Sequence, residues 1–599
     1  MHKIIKNNLL IIAFLFFAVP SHAKIVDSIS LHNNPKYNSG FSHFLYVNPQ
    51  APKHGRITLP AYGSFDNFNP YIFRGIAFSD GAELSLESLG MSPVDDVATV
   101  YPLLAKQFEI SPDESFVGFI IDEKAKFSDN TPVLADDVIF SFKTLLEKGE
   151  PLYKIYYADV DRVEKVNDYH VRFYFKKNTS NRELPLILSQ FKIFSKKYYA
   201  DKDFATPYLE APVGSGPYII DKFEPNKFVE LKLNPNYWGK NLPTRKGFFN
   251  FDTIRFDFYQ DTTVTLQALF AGDIDAREEY IAKMWANGYH HKKVEDKTII
   301  KAEISHNNPA TLQFFGFNNR LAKFQDYRVR KAISLAFDFD WANEKLFYNQ
   351  YRRIYSLFSN TDLAATGLPK GREKGILQKL KDYLPKDVFD SPYILPDNST
   401  PQKNRQNLKA AVKLLQEAGY GFKDGKMINL HTQEPLEIEV LSNAANGSSF
   451  TRVMLPFIKN LAKIGIKMTF RNLEVNVFKN RLDKFDFEMA ILSYRMSNIP
   501  GSELREIWGS ASADILGSYN FLGVKNPAID RLVEGVITTK DDTEYKAYIK
   551  ALDRVIMQEH YFIPHWYSPF ERIAYNKKLQ RPNTDIKTGI NIYTWWLEE

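Results

Sequence analysis

Residues 436–497 contain the pattern that most restricts the fold available to this chain of 599 residues. Apolar and polar residues alternate over 436–440, the apolar spacing over 450–463 is that of a helix, and alternation returns over 466–470. A strand, a helix and a second strand of this length predict a right-handed crossover between two parallel strands. The nearly continuous apolar run 485–494 predicts another strand, central in the same sheet.

Two polar loops are expected where these strands end. Residues 442–447 follow the first strand and residues 495–498 follow the last one. In open α/β sheets ligands bind outside the carboxyl ends of the strands, because the loops there carry polar groups above a rigid scaffold. We therefore expect both loops to line a ligand site. Ordinary solvated loops would have the same spacing, and that alternative stays open.

Strand-like and helix-like patterns alternate along most of the chain, which predicts an α/β protein. Residues 135–146 predict an amphipathic helix, and the acidic Asp136 and Asp137 at its start suit the helix dipole better than a catalytic role. Residues 170–177 predict a half-buried strand, and residues 261–272 predict a helix with its own cap and a glycine stop. Because single cores stop growing near about 250–300 residues, several lobes are expected.

The N-terminus has the features of a cleavable signal peptide over residues 1–23. Lys3 and Lys6 precede an apolar run of 11 residues, 9–19, and small residues occupy the cleavage positions in 20–23. No later apolar stretch approaches the roughly 20 residues of a membrane span. With no cysteine, the chain also has no lipid-anchoring cysteine, no disulfide and no thiolate site. We therefore expect export to a Gram-negative periplasm.

Charge and motifs exclude several classes of function. The formal net charge of +6 falls by two when the predicted signal peptide is removed, and no basic cluster predicts nucleic-acid binding. No GxSxG, HExxH, phosphate-loop or EF-hand pattern is present. The glycine-rich residues 214–217 predict a tight structural turn, and His560 and His565 have no third ligand spaced for a metal. We expect no catalytic residue, no metal and no cofactor.

Several segments together resemble family 5 of the extracellular solute-binding proteins. The segments are 127–142 (FSDNTPVLADDVIFSF), 214–218 (GSGPY), 234–238 (NPNYW) and 271–276 (AGDIDA). Others resemble the YejA branch of that family: 48–56 (NPQAPKHGR), 63–70 (GSFDNFNP), 337–346 (FDFDWANEKL) and 500–520 (PGSELREIWGSASADILGSYN). That branch is periplasmic and serves an importer for oligopeptides and peptide-like antibiotics. The resemblance covers essentially the whole mature chain.

The resemblance implies an α/β fold of the two-lobed periplasmic-binding-protein type II class, a hinged clamshell of the large class with an extra subdomain. Lobe I is expected over 24–85, 196–305 and 555–599, the extra subdomain over 86–195, and lobe II over 306–554. A monomer would close on its ligand and then dock on an inner-membrane ABC permease, whose ATPase subunits supply the energy.

Arg495 departs from the better-known peptide binders. In those relatives an aspartate, nine residues after one that resembles Asp486, holds the α-ammonium group of the peptide, and the equivalent position here is Arg495. An arginine of some oligopeptide binders falls on Met489. A guanidinium repels ammonium but holds a carboxylate, phosphate or carbonyl group. The alternative is that Arg495 pairs with Glu503 or Glu506.

Residues 63–69 are expected to face Arg495 from the other lobe. The expected ligand is an oligopeptide or a peptide-like compound, bound partly through its main chain. A murein fragment, a glycosylated antibiotic or a metal chelate is an alternative; a periplasmic peptidase or chaperone is a more distant one. The expected ligand-contacting residues are Phe65, Asn67, Asn69, Asn443, Asn446, Tyr494, Arg495, Met496, Asn498, Trp566 and Tyr567.

Overall fold

A computed structural model describes residues 23–31, 35–150, 152–177 and 181–598, without the side chains of residues 155 and 444–449. Residues 1–22 lie outside this part of the chain, so the signal peptide stays a prediction from the sequence.

The described residues form the following strands: β1 (Lys24–Val26), β2 (Ile29–Ser30), β3 (Arg56–Tyr62), β4 (Gly90–Met91), β5 (Thr99–Pro102), β6 (Ala105–Ile110), β7 (Phe116–Ile121), β8 (Val160–Asn167), β9 (His170–Phe175), β10 (Tyr218–Glu224), β11 (Phe228–Leu233), β12 (Thr253–Tyr259), β13 (Ala276–Glu278), β14 (Ile299–Ser305), β15 (Leu312–Phe317), β16 (Arg352–Arg353), β17 (Tyr420–Lys423), β18 (Lys426–Asn429), β19 (Glu437–Asn443), β20 (Lys467–Leu473), β21 (Met489–Tyr494), β22 (Phe562–Pro564), β23 (Trp566–Tyr567), β24 (Phe570–Asn576), β25 (Leu579–Gln580) and β26 (Trp596–Leu597).

The α-helices are α1 (Ser79–Ser85), α2 (Ala135–Lys148), α3 (Leu152–Tyr156), α4 (Leu184–Gln190), α5 (Thr262–Ala271), α6 (Ala282–Asn287), α7 (Lys292–Glu295), α8 (Tyr327–Leu335), α9 (Phe339–Lys345), α10 (Gly371–Gln378), α11 (Asp387–Asp390), α12 (Pro401–Glu417), α13 (Ala444–Lys463), α14 (Val475–Asp483), α15 (Glu503–Trp508), α16 (Pro527–Thr538) and α17 (Asp542–Gln558).

Lobe II is built on a five-stranded sheet of order β20-β19-β21-β15-β22. The parallel pairing of β19 with β20, across α13, confirms the predicted crossover, and β21 is the central strand as predicted. Successive β15 residues point to opposite faces: Phe314 packs with α15, α16 and α17, whereas Phe315 packs with α8, α12 and α13.

The expectation of a loop at residues 444–447 was wrong. Helix α13 begins directly after β19, so these residues are helical. Ala444 and Ala445 favour that outcome.

Lobe I contains two sheets that share one apolar core. The first has the order β10-β11-β12-β3, with β3 and β12 parallel, and the second has the order β13-β24-β14. Ile57 and Ile254 of the first sheet and Ile304 and Ile573 of the second are buried in the same cluster. Helix α5 follows β12, and it has the predicted aspartate cap and the predicted terminal glycine, Gly272, at φ 95°.

The extra subdomain is an antiparallel sheet of order β1-β6-β7-β9-β8, covered by α2. Val138, Phe142 and Leu145 lie on the buried face of α2, which confirms the predicted amphipathic helix, and β9 confirms the predicted strand. Asp137 accepts a hydrogen bond from the Leu134 amide at 2.9 Å and so caps the helix, whereas Asp136 pairs with Lys165 at 2.5 Å. Strand β1 joins this sheet although residues 24–85 were expected in lobe I.

The chain crosses between the sheets of lobe I and lobe II twice. It enters lobe II through residues 306–311, between β14 and β15, and returns through residues 565–569, between β22 and β24. Helix α17 packs in the core beneath the lobe II sheet, and β22 is an edge strand of that sheet. The expected boundary at residue 555 therefore falls inside an element of lobe II, and the second crossing begins about ten residues later.

The predicted turn at residues 214–217 lies against the end of α1. The Gly216 amide donates to the Ser85 carbonyl oxygen at 2.8 Å, and a Cβ atom on Gly214 would overlap that same oxygen. Glycine is therefore required here by the close approach of two backbone segments, not by a phosphate.

Gly214→Ala is expected to destabilise the protein by about 3 kcal/mol, because the added methyl group forces the turn away from α1. Differential scanning calorimetry should show a melting temperature lower by several degrees. The control is Gly375→Ala in α10, where the methyl group meets no atom and alanine favours the helix by about 1 kcal/mol. Equal melting temperatures for the two variants would contradict the close approach.

Candidate functional site: the cleft between the lobes

The carboxyl ends of β19 and β21 lie at the edge of the lobe II sheet that faces lobe I. Tyr494, the last residue of β21, pairs with Leu312, where the chain has just arrived from lobe I. Strand β22 leaves the sheet at the same edge, at Pro564. Asn443, at the end of β19, and Arg495, directly after β21, therefore lie where the two lobes meet.

Arg495 is exposed at this edge. Within the described residues its guanidinium takes part in no hydrogen bond and no ion pair. The structure therefore contains no ion pair between Arg495 and Glu503 or Glu506. A guanidinium left free beside a cleft can hold a carboxylate or phosphate group through two parallel hydrogen bonds.

The neighbours of Arg495 face the opposite way. Tyr494 and Met496 were predicted to contact ligand, but both side chains are buried in the lobe II core, because successive residues of an extended chain alternate. The Tyr494 hydroxyl donates to the Tyr519 carbonyl oxygen at 2.7 Å, and its ring packs against Trp508 with centroids 5.7 Å apart. Both residues thus support the loop from beneath.

The other predicted residues of lobe II lie around the same edge. Asn498 is exposed, and its Nδ2 is 3.5 Å from Oδ1 of Asn308 in the first crossing segment. Asn443 is half-buried, whereas the side chain of Asn446 lies outside the part of the chain described. Trp566 is half-buried, with its ring centroid 4.6 Å from that of Phe347.

Tyr567 pairs with Arg352 in the short ladder of β16 and β23 and is buried in the lobe II core. The Tyr567 side chain was predicted to contact ligand, but it has no exposed surface here. Its ring stabilises the second crossing instead.

Of the three predicted residues of lobe I, Asn67 and Asn69 are structural in this arrangement. Phe65 is buried in an aromatic cluster, with its ring centroid 5.0 Å from that of Phe258. The Asn67 side chain is completely buried and accepts a hydrogen bond from the Asn69 amide at 2.8 Å. Asn69 donates to the Phe204 carbonyl oxygen at 3.2 Å. The asparagines hold the loop after β3 in shape, because their side chains satisfy its backbone groups.

Lobe I instead offers a cavity of about 640 Å³, which lies beside the carboxyl ends of β3 and β13. Glu278 ends β13 on the side of the crossing segments, because it pairs with Ile573 near the start of β24. Polar side chains on the cavity wall include Tyr62, Ser64, Asp80, Glu278, Tyr280 and Tyr593, and the predicted Phe65 also lines the cavity.

The cavity wall carries negative charge without a matching cation. Asp80 and Glu278 are open to solvent, and no described lysine or arginine forms an ion pair with either. Loss of hydration against the wall raises the pKa of both carboxyls above the ordinary value. Arg277 also borders the cavity, but it forms a buried ion pair with Glu279 at 2.5 Å. The wall therefore favours a cationic or hydrogen-bond-donating group.

The two walls meet at one side of the cleft. The Tyr351 hydroxyl of lobe II donates to the Tyr280 carbonyl oxygen at 3.1 Å, and Gln350 Nε2 donates to the Ala282 carbonyl oxygen at 3.0 Å. Arg572 of lobe I donates to the Gln350 carbonyl oxygen at 3.3 Å. These contacts join lobe I to lobe II beside the acidic wall.

The acidic wall was not predicted from the sequence. Residues 277–280 alternate, with Arg277 and Glu279 buried and Glu278 and Tyr280 outward. That period-two pattern of charged residues was the available signal for a short strand. Its position beside Asp80 could not be predicted, because it depends on the pairing of β13 with β24.

Clusters of metal-ligating side chains are absent from the described residues. No three His, Asp or Glu side chains there are grouped so as to hold a metal ion. His560 and His565 are buried, and burial lowers the pKa of His560 to about 3. Nor does any described helix combine the length and apolar character needed to span a bilayer.

Arg495→Ala is expected to leave the melting temperature unchanged, because the side chain has no internal partner. Arg320→Ala is the contrast, since Arg320 donates to the carbonyl oxygens of Ala513, Asn520 and Phe521. Its loss should cost about 2–3 kcal/mol. Thermal unfolding followed by circular dichroism measures both. A clear destabilisation by Arg495→Ala would show that the guanidinium has a structural role.

Comparison with known proteins identifies a family. A family model described as bacterial extracellular solute-binding proteins, family 5 Middle, matches residues 99–514. A probable peptide-binding protein YejA of Agrobacterium fabrum is 37% identical over 578 residues, which cover 95% of this chain and 93% of that protein. A peptidoglycan-binding protein YepA of the same bacterium is 34% identical over 590 residues, which cover 96% and 95%.

The fold is shared with solved structures. The oligopeptide-binding protein AppA of Bacillus subtilis, determined in complex with a nonapeptide, superposes with a TM-score of 0.69 at 19% sequence identity. The match covers 92% of this chain and 100% of AppA. It confirms the predicted α/β fold of the two-lobed binding-protein class.

Proposed function

Because the chain belongs to family 5 of the bacterial extracellular solute-binding proteins and has YejA proteins among its relatives, we propose that it is the periplasmic component of an ABC importer. It captures oligopeptides or peptide-like compounds between its two lobes and delivers them to the permease. Its relatives bind solutes and are not enzymes, and we propose the same of this chain. Ligand contacts with both lobes favour the closed state, and this difference drives closure.

The exposed and unpaired Arg495 carries the proposal. It supplies a fixed positive charge at the edge of lobe II, and the acidic cavity wall of lobe I supplies the opposite charge. A ligand with an anionic group at one end and an amino group at the other matches both walls. Backbone groups between those ends would give affinity that tolerates different side chains.

A murein fragment is the second candidate ligand, because a relative that covers nearly the whole chain is named a peptidoglycan-binding protein. A murein peptide carries both free carboxylates and an amino group, so the same two walls suit it. Linear peptides and murein fragments therefore differ in length and shape more than in charge, and a direct measurement of the cargo decides between them.

Native mass spectrometry of the protein purified from the periplasm should detect a bound compound, which dissociates when the protein is unfolded. A family of masses that fragment as linear peptides supports the first ligand class, and amino-sugar or diaminopimelate fragments support the second. If the protein carries no small molecule and also binds none from a mixture of tripeptides to hexapeptides and muropeptides, the proposed function is wrong.

Arg495→Asp should weaken binding of free-acid peptides at least tenfold, or about 1.4 kcal/mol, because a charge-assisted pair is replaced by repulsion. Isothermal titration calorimetry with the same peptides as C-terminal amides should show a smaller loss. Arg405→Asp, which makes the same charge change on the exposed α12, is the control and should bind normally. Unchanged affinity of Arg495→Asp for every peptide that binds would remove Arg495 from the site.

Glu278→Gln should weaken peptides with a free amino terminus by about threefold to tenfold, because a charged hydrogen bond becomes a neutral one. The same peptides with an acetylated amino terminus should bind both proteins equally. Equal losses for both forms of the peptide would show that the acidic wall does not recognise an amino group.

A further inference from the structure

The carboxyl groups of a buried glutamate, Glu183, and a half-buried one, Glu503, lie close together where the extra subdomain touches lobe II. Glu183 directly precedes α4 of the subdomain and is only 5% exposed, while Glu503 opens α15 of lobe II. A Cβ atom on Gly501 would overlap the Glu183 carboxyl group, so the two elements are in direct contact. The Gly501 amide donates to Glu503 at 3.0 Å.

The surfaces around this pair belong to two different parts of the molecule, the extra subdomain and lobe II. Arg182 of the subdomain donates to the Thr539 carbonyl oxygen of lobe II at 3.2 Å and lies over the Tyr545 ring, 4.6 Å from its centroid. Ile499 packs against the apolar cores of both the subdomain and lobe II. The carboxyl pair is therefore enclosed only while lobe II rests against the subdomain.

No described cation forms an ion pair with either carboxyl, although the charges of Arg182 and Arg505 act to lower the pKa of Glu183 against the larger effect of its burial. Arg182 uses its guanidinium on the carbonyl oxygens of Thr539 and Leu31, and Arg505 is held by both carboxylate oxygens of Glu534 at 2.7 Å. Within the described residues neither Glu183 nor Glu503 forms an ion pair, and each has one buried oxygen without a hydrogen-bond partner. Two like charges at this place would repel each other at short range and without hydration.

The other titratable groups around the pair do not relieve this repulsion. The phenols of Tyr156 and Tyr545 approach it from α3 and α17, and the Tyr545 hydroxyl donates to the Pro500 carbonyl oxygen at 2.8 Å. Asp159 adds a further negative charge near Arg505. Lys540 lies at the rim, where it pairs with Glu114.

We propose that a proton held by the Glu183 and Glu503 pair keeps the extra subdomain against lobe II, so that the cleft closes more readily in acidic than in alkaline solution. The proposal rests on the hinged arrangement of the proposed function but not on the identity of the ligand. A neutral carboxylic acid next to a carboxylate also supplies the donor that the unpartnered oxygens lack. Above neutral pH, both groups ionise and repel, and the contact weakens.

The direction of the pH effect follows from the burial. Loss of hydration raises the pKa of both carboxyls in the closed contact, and the charge of Glu503 raises that of Glu183 further. In an open cleft the groups are hydrated and their pKa values return toward the ordinary range. Closure therefore takes up protons. Its equilibrium constant increases as the pH falls, and this gain is lost as the pH rises through the raised pKa values.

The test measures closure without any ligand. Because the chain has no cysteine, Lys143→Cys on α2 and Lys409→Cys on α12 place two spin labels on exposed sites of the subdomain and lobe II. Pulsed electron paramagnetic resonance then gives the distance distribution at about pH 5.5 and about pH 8.5. The ratio of closed to open molecules should fall at least tenfold at the higher pH, which corresponds to one unit of pKa shift.

The double variant Glu183→Gln with Glu503→Gln should keep the same distance distribution at both pH values, because amides fill the same space without titrating. Glu147→Gln, which removes an exposed carboxyl from the same subdomain, is the control and should behave like the unmodified chain. Far-ultraviolet circular dichroism checks that each variant is folded. Identical distributions for the unmodified chain at both pH values, or a pH response that survives in the double variant, would overturn the proposal without bearing on ligand binding.

Discussion

The double passage of the backbone between the two sheets is the constraint on which the cleft depends. Residues 306–311 and 565–569 lie between strands that are hydrogen-bonded into the sheet of lobe I at one end and that of lobe II at the other. Rotation about two short segments leaves both sheets intact, so the lobes can move as rigid bodies. It also fixes which strand ends face each other, since every strand that borders a crossing brings its terminal loop to the cleft.

In the strands near the crossings, alternate residues are buried and support the terminal loops, while the residues between them are exposed at the cleft. Tyr494 and Met496 are buried and hold the loop, whereas Arg495 between them remains exposed. On the other wall, Arg277 and Glu279 neutralise each other in the interior while Glu278 is left outward. Strand alternation therefore produces a positive edge on lobe II and a negative wall on lobe I, each on a rigid base. Such a pair of walls gains most from a ligand that spans the closed cleft.

Elements with strong local patterns were predictable. The crossover of β19, α13 and β20, the capped helix α5 and the central strand β21 follow from apolar periodicity and from capping residues near in sequence. The short motifs were specific enough to indicate the family that the comparisons confirm. The start of α13 was missed, because small polar residues do not by themselves separate a loop from the first turn of a helix that packs well.

The amino-acid sequence by itself determined the class of fold, the family and the position of Arg495 directly after a strand, because each depends on residues close together in the chain. Only the tertiary structure decided which predicted residues are available to a ligand. Asn67 and Tyr567 are buried, whereas Phe65, Asp80 and Glu278 share a cavity wall. The same holds for Glu183 and Glu503, which meet only because the subdomain packs on lobe II. Burial and long-range contact arise from the packing of distant segments, and no local pattern records that packing.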